Sequence, residues 1–150
     1  MLLDALLKLS DVQAVTATAV STNVIDLSQA RDLGPGTDIY VNFAVDTSVT
    51  AAGAATVTFE VITSSDSGLA SPNVLVSTGP VGKAELTAGR APINLCIPPS
   101  VYAALPVGQR YLGVRYTVTT GPLTAGAFTA YVSNTAVHGG KHYASGFTVL

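Results

Sequence analysis

Between residues 38 and 46, apolar and polar side chains alternate, with Ala44 the one small apolar residue on the polar side. Ile39, Val41, Phe43 and Val45 share one face, and Asp38, Tyr40, Asn42 and Asp46 share the other. A period of two is the signature of a strand with one face in a core. Gly34-Pro35-Gly36 just before it reads as a turn. The pattern returns three times. Ala55, Val57, Phe59 and Val61 alternate with Thr56, Thr58 and Glu60; Leu112, Val114, Tyr116 and Val118 alternate with Tyr111, Gly113, Arg115 and Thr117. Phe128, Ala130 and Val132 alternate with Thr129, Tyr131 and Ser133. Short apolar runs at 24–27, 74–78 and 93–97 have strand length, and 12–20 is β-branched and Ala-rich with no distinct polar face. About eight strands at this spacing predict an all-β jelly roll or β-sandwich. Helical turns are expected only at 28–33 and at 99–105, where Pro98-Pro99-Ser100 can start one.

The two ends break the alternation. Leu2, Leu3, Leu6, Leu7 and Leu9 form an apolar stripe near helical spacing, with Asp4 and Lys8 four apart on another side. A segment of nine residues is too short to hold a helix in water alone. It is expected to pack, either on a partner or on an open end of its own sandwich. Residues 135–150 read as an extension whose apolar end includes Phe147. The organisation expected is thus one domain over residues 1–150, with an N-terminal segment at 1–9 and a C-terminal extension at 135–150.

Composition sharpens this picture. Charged residues are 11% of the chain, against about 25% in ordinary soluble proteins. A surface so poor in Lys and Glu has little protection against adhesion, and partners are expected to cover much of it. Net charge is −2, so no basic footprint for nucleic acid is present. No run of 18 apolar residues exists to span a membrane, and the opening residues lack the basic region of a signal peptide. Cys96 is the only cysteine, which rules out an intramolecular disulfide and fits synthesis in a reducing cytoplasm.

No constellation of reactive residues emerges. His138 and His142 are separated by Gly139-Gly140, with no clustered carboxylate or cysteine to complete a metal site. No Gly-x-Ser-x-Gly elbow occurs. Gly79-Pro-Val-Gly82-Lys83 fails as a phosphate loop, because Ser77 stands where the first glycine belongs and Ala84 replaces the hydroxyl residue. Asp26, Asp32, Asp38, Asp46, Glu60, Asp66 and Glu85 are scattered over loops and outward faces. Cys96 sits in a strand as a small packed residue. Neither catalytic residues, a metal nor a cofactor is expected. Tyr40, Tyr111 and Tyr131 all fall on the polar sides of their strands. They serve either cross-strand packing or an interaction face.

Three stretches carry a resemblance. Residues 3–34, opening Leu3-Asp-Ala-Leu-Leu-Lys-Leu-Ser-Asp-Val-Gln-Ala-Val-Thr, are one. The strand at 54–63 with Ser64-Ser-Asp-Ser-Gly-Leu-Ala-Ser-Pro72 after it is the second, and residues 109–131, Gln109-Arg-Tyr-Leu-Gly-Val-Arg-Tyr through Ala130-Tyr131, are the third. Together they resemble the capsid cement (decoration) proteins of tailed bacteriophages, up to about residue 132. The resemblance implies a jelly roll made in the host cytoplasm that sits on the outer capsid surface of the virion. There it would clamp neighbouring major capsid proteins without enzymatic activity. Low charge and apolar ends add an expectation of self-association as a dimer or trimer. Leu2, Leu3, Leu6, Leu7, Tyr40, Tyr111, Tyr131 and Phe147 are the expected interface residues. The alternative is a carbohydrate- or receptor-binding jelly roll on a tail appendage, which the absence of Trp disfavours.

Overall fold

Why the alternating segments pair as they do is visible in a computed structural model, which describes residues 4–28, 38–103 and 106–137. Nine strands form: β1 (Lys8–Ala14), β2 (Ala19–Val20), β3 (Ile25–Asp26), β4 (Ile39–Thr50), β5 (Thr56–Ser64), β6 (Asn73–Gly82), β7 (Ile93–Ile97), β8 (Tyr111–Thr119) and β9 (Ala125–Ser133). Among the described residues one short α-helix forms, α1 (Pro99–Ala103), starting on the second proline of the pair within the stretch where the sequence predicts a turn.

All pairings are antiparallel, and they make two sheets, ordered β1-β9-β4-β7 and β2-β8-β5-β6. β3 extends the second sheet by pairing with β8 at Ile25↔Leu112, beyond the β2 pair Val20↔Arg115. β2 and β3 are therefore two halves of one interrupted strand. The nine strands fill eight positions, and each connection β1–β2, β4–β5, β6–β7 and β8–β9 crosses between sheets. That path is the jelly roll.

The inward faces supply the core. Phe43, Phe59, Tyr116 and Phe128 are fully buried and meet ring to ring, with centroids 5.1 Å apart for Phe43–Phe59, Phe59–Phe128 and Tyr116–Phe128. Edge and offset contacts of this kind are favoured by the ring quadrupoles. The one polar atom among them is accounted for. Tyr116 Oη donates to Ser10 Oγ at 2.8 Å, and Ser10 donates to Gln13 Oε1 at 2.9 Å. Gln13 then donates to the Val20 carbonyl and accepts from the Thr22 amide. This chain of hydrogen bonds ties β1 of one sheet to β2 of the other, and burial pushes the Tyr116 phenol far up.

The opening residues depart from the helical stripe. Ala5–Leu7 make one 3-10 turn, capped by the Asp4 carboxylate accepting from the Leu6 amide. From Lys8 onward the chain is strand β1, and Leu9 is fully buried in the core. The apolar residues of this segment thus serve different ends: Leu9 is core, Leu7 packs against it, and Leu6 points to solvent. The stretch 12–20 is likewise not one strand. It spans the end of β1, a connection and β2, with Val12 at a positive φ of 46° on a bulge.

Candidate interaction surface

Backbone hydrogen bonds tie the segments at both ends of the sandwich. At one end Val15 N donates to Gly126 O, Leu123 N to Thr16 O, Thr124 N to Thr50 O, and Val49 N to Leu86 O. The Lys83 ammonium caps the Ala51 carbonyl at 2.6 Å, and Leu86 is fully buried beneath. At the other end lie the start of β1, the end of β9, the connection β5–β6, α1 and residues 106–110 leading into β8. There Leu27 N donates to Arg110 O, Arg110 N to Ser64 O and Asn23 N to Leu9 O.

That second end holds a two-armed ion pair. Arg110 grips Asp26 with both arms, Nε–Oδ1 at 2.8 Å and Nη2–Oδ2 at 2.7 Å, while its guanidinium lies 5.1 Å from the Tyr111 ring centre. Ser28 donates to the same carboxylate from its amide and its hydroxyl. The Arg110 and Ser28 hydrogen bonds hold the Asp26 carboxyl well below its ordinary value. On the outer face of the second sheet, Glu60 accepts from Arg115 and Thr117, both at 2.6 Å. Burial pushes the Glu60 carboxyl up, but these two donors outweigh it and the net displacement is downward. Both carboxylates lose protons more readily folded than unfolded. Their contribution is complete above the unfolded value of about 4 and is lost as pH falls through the depressed folded values. The melting temperature of the wild-type protein should therefore drop below about pH 4. Asp26→Asn should lower it at pH 7, and the two curves should draw together as acid is added. A constant offset from pH 7 to pH 2 would show that the Asp26 charge does not matter.

Each sheet's outer face is partly covered by the chain itself. Over the second sheet, residues 64–72 fold back through an Asx turn in which Asp66 accepts from the Gly68 amide. This sets Leu69, at φ 58°, onto Gly113, where it is 2% exposed. Ile62, on that same outer face, is fully buried. Over the first sheet, the chain leaving β9 crosses β4 towards β7. Asn42, fully buried, accepts from the Val137 amide, and Asn94 donates to the Val137 carbonyl. Sequence reasoning placed Asn42 on an outward face without the cover above it, and made no reading of Ile62. The signal lay in a polar residue and an apolar one each out of keeping with its place, beside loops able to reach back.

The expected interface residues divide accordingly. Leu6 is 69% exposed; Leu7 is half-buried against the core. Tyr40 and Tyr111 are half-buried on outer faces, Tyr40 beside Cys96 and Tyr111 under Arg110. Tyr131 is only 5% exposed, so the expectation of a surface tyrosine there fails: it faces outward, pairs with Asn42 and Lys8, and is buried within the molecule. Leu2, Leu3 and Phe147 lie outside the described residues, as do His138, His142 and much of the stretch 28–33. Missed by sequence reasoning are Val74 and Val107, isolated apolar residues with exposures of 44% and 105%. Among the described residues no three His, Cys, Asp or Glu side chains converge as a metal site.

The model of the Bbp16 family matches residues 9–132. The chain belongs to the Bbp16 family. The match begins at Leu9, the first core residue of β1, and ends at Val132, the last of β9, so it covers the whole sandwich. None of the curated proteins matches the chain. The Bbp16 domain is thus the jelly roll itself, and the residues before Leu9 and after Val132 lie outside the match.

Proposed function

We propose that this member of the Bbp16 family is a non-enzymatic virion protein that binds the outside of a phage capsid and clamps neighbouring major capsid proteins. Family membership across the entire jelly roll carries the reading, since the family name is a phage-related one. Jelly rolls also serve as viral capsid and lectin domains, so the fold agrees with the reading without deciding it. The chemistry of the surface supports it further. With 11% charged residues, and with Thr56, Thr58, Thr117 and Thr119 laid side by side on the outer face of the second sheet, the exterior is neutral and short-chained. Such a surface suits close packing against other proteins. A clamp also has to engage more than one subunit, which favours a dimer or trimer of this chain.

The test is binding of the purified full chain to shells assembled from the major capsid protein of the phage that encodes it. Saturable binding, together with shells that resist heat or denaturant better when coated, is the expected result. Ultracentrifugation of the free protein should give two or three times 15.2 kDa at high micromolar concentration. Shells that neither bind the protein nor gain resistance would overturn the proposal. Binding to glycans instead would move the chain to a tail appendage.

A further inference from the structure

We infer that Asn42 and Asn94 form a binding site for extended peptide main chain, and that its occupant is the chain's own residue Val137. The site anchors the segment after β9 on the outer face of the first sheet, where β4 and β7 lie side by side. It is independent of the cement-protein reading and is tested without a capsid.

Asparagine is depleted in strands, and a buried amide has to find partners. Asn42 and Asn94 are direct cross-strand partners, so both side chains stand on one face. Opposed residues of an antiparallel pair hold their Cβ atoms about 4.5–5.5 Å apart. Across that gap the two amides present an acceptor and a donor side by side. Asn42 Oδ1 accepts from the Val137 N–H at 3.1 Å, and Asn94 Nδ2 donates to the Val137 carbonyl at 3.1 Å. Both main-chain groups of one residue are thus held by side chains, as a residue of a neighbouring strand would hold them. The other amide groups complete the site. Asn42 Nδ2 donates to Ser133 Oγ at 2.7 Å, and Ser133 Oγ donates on to the Thr135 carbonyl. Asn94 Oδ1 is buried with no partner among the described residues, which leaves one acceptor for a further N–H.

Apolar packing does not account for the placement of this segment. Asn134 and Thr135 are exposed, and Ala136 and Val137 are only half-buried. The segment over the second sheet is held differently, by Leu69 seated on Gly113 at 2% exposure. Beneath Val137 the fully buried group is the Asn42 amide. The site therefore reads the path of the backbone and is indifferent to the side chain at 137. Its consequence is positional. Val137 is fixed over β4 and the edge strand β7, on a flank of the sandwich rather than at the end where β9 stops. From that flank the chain continues.

Amide hydrogen exchange followed by NMR on the full chain reads the site directly. In the wild type the Val137 amide should exchange at least about tenfold more slowly than an unprotected amide, since a held N–H exchanges only when the segment opens. Asn94→Ala and Asn94→Asp should each raise that rate about tenfold. The second variant keeps the acceptor oxygens and loses only the donor, so equal effects identify the hydrogen bond to the Val137 carbonyl as the cause. Val137→Ala should leave the amide at 137 as protected as in the wild type. Amides in the β5–β8 pairing, far from the substitutions, should keep their protection in all three and so report an intact fold. A wild-type Val137 amide that exchanges freely would overturn the inference. So would protection that survives both Asn94 variants and is lost in Val137→Ala, because side-chain packing would then be what holds the segment.

Discussion

Phe59→Ala should destabilise the domain by about 3–5 kcal/mol, the range for removing a buried aromatic side chain. The ring is fully buried at the centre of the aromatic cluster, 5.1 Å from both Phe43 and Phe128 and 5.8 Å from Tyr116. Those neighbours come from β4, β9 and β8, so the cavity would open between the two sheets, where neither can close on it without losing contact with the other. A domain has only about 5–15 kcal/mol to lose. Urea unfolding of the purified variant should show a much lower midpoint at an unchanged slope. A loss under 1 kcal/mol would mean that Phe43 and Phe128 relax into the space, and that the core is less tightly packed than the ring geometry implies.

Gly113→Ala is the second large effect, about 1–3 kcal/mol from overpacking. A methyl group at Gly113 would collide with Leu69 Cδ1 and come within 2.9 Å of Ser21 Oγ. Neither neighbour has slack. Leu69 is fixed at a positive φ by the Asp66 turn, and Ser21 Oγ donates to Asn23 O while accepting from Val114 N. Leu69→Ala alone removes buried surface and should also destabilise. In the double variant the collision disappears, so the combined loss should be smaller than the sum of the two. Strict additivity in denaturant unfolding would show that Leu69 and Gly113 are not in contact.

The four strongly alternating segments were legible because one of their faces is core and the other is exposed, which is the condition for a period of two. In β4, β5, β8 and β9 the inward positions fall where the pattern puts them, Phe43, Phe59, Tyr116 and Phe128 among them, while outer-face residues such as Asn42, Ile62 and Tyr131 are buried by covering segments or neighbours. The Leu-rich opening was misread because spacing over nine residues fits a helix or a strand equally well. Pairing with β9 decided it: Leu9 lies between Lys8↔Tyr131 and Ser10↔Ala130, a partner more than 100 residues away that no local window contains. Tyr131 lies on the outward face the alternation gave it, but its burial was not legible for a related reason. Alternation reports which face a side chain is on, and says nothing of a segment that later folds across that face. Leu6 was legible as part of an apolar stripe, whereas Val74 and Val107 are single residues in loops and strand ends, with no periodicity to mark them.

β9 lies between β1 and β4 in the first sheet, and this order governs how the protein can be made. When residues 8–14 leave the ribosome they have no neighbour to pair with, and none exists until residues 125–133 follow. At about 5–20 residues per second that wait is several seconds or longer. Throughout it, Leu9 and Val15 are exposed on a nascent chain that cannot close its first sheet. The first sheet is thus completed only after the last strand is released, although β4 with β7 and the whole second sheet have their partners by residue 119. Until then the charges of Lys8 and Asp11 help keep the waiting strand from pairing with another copy.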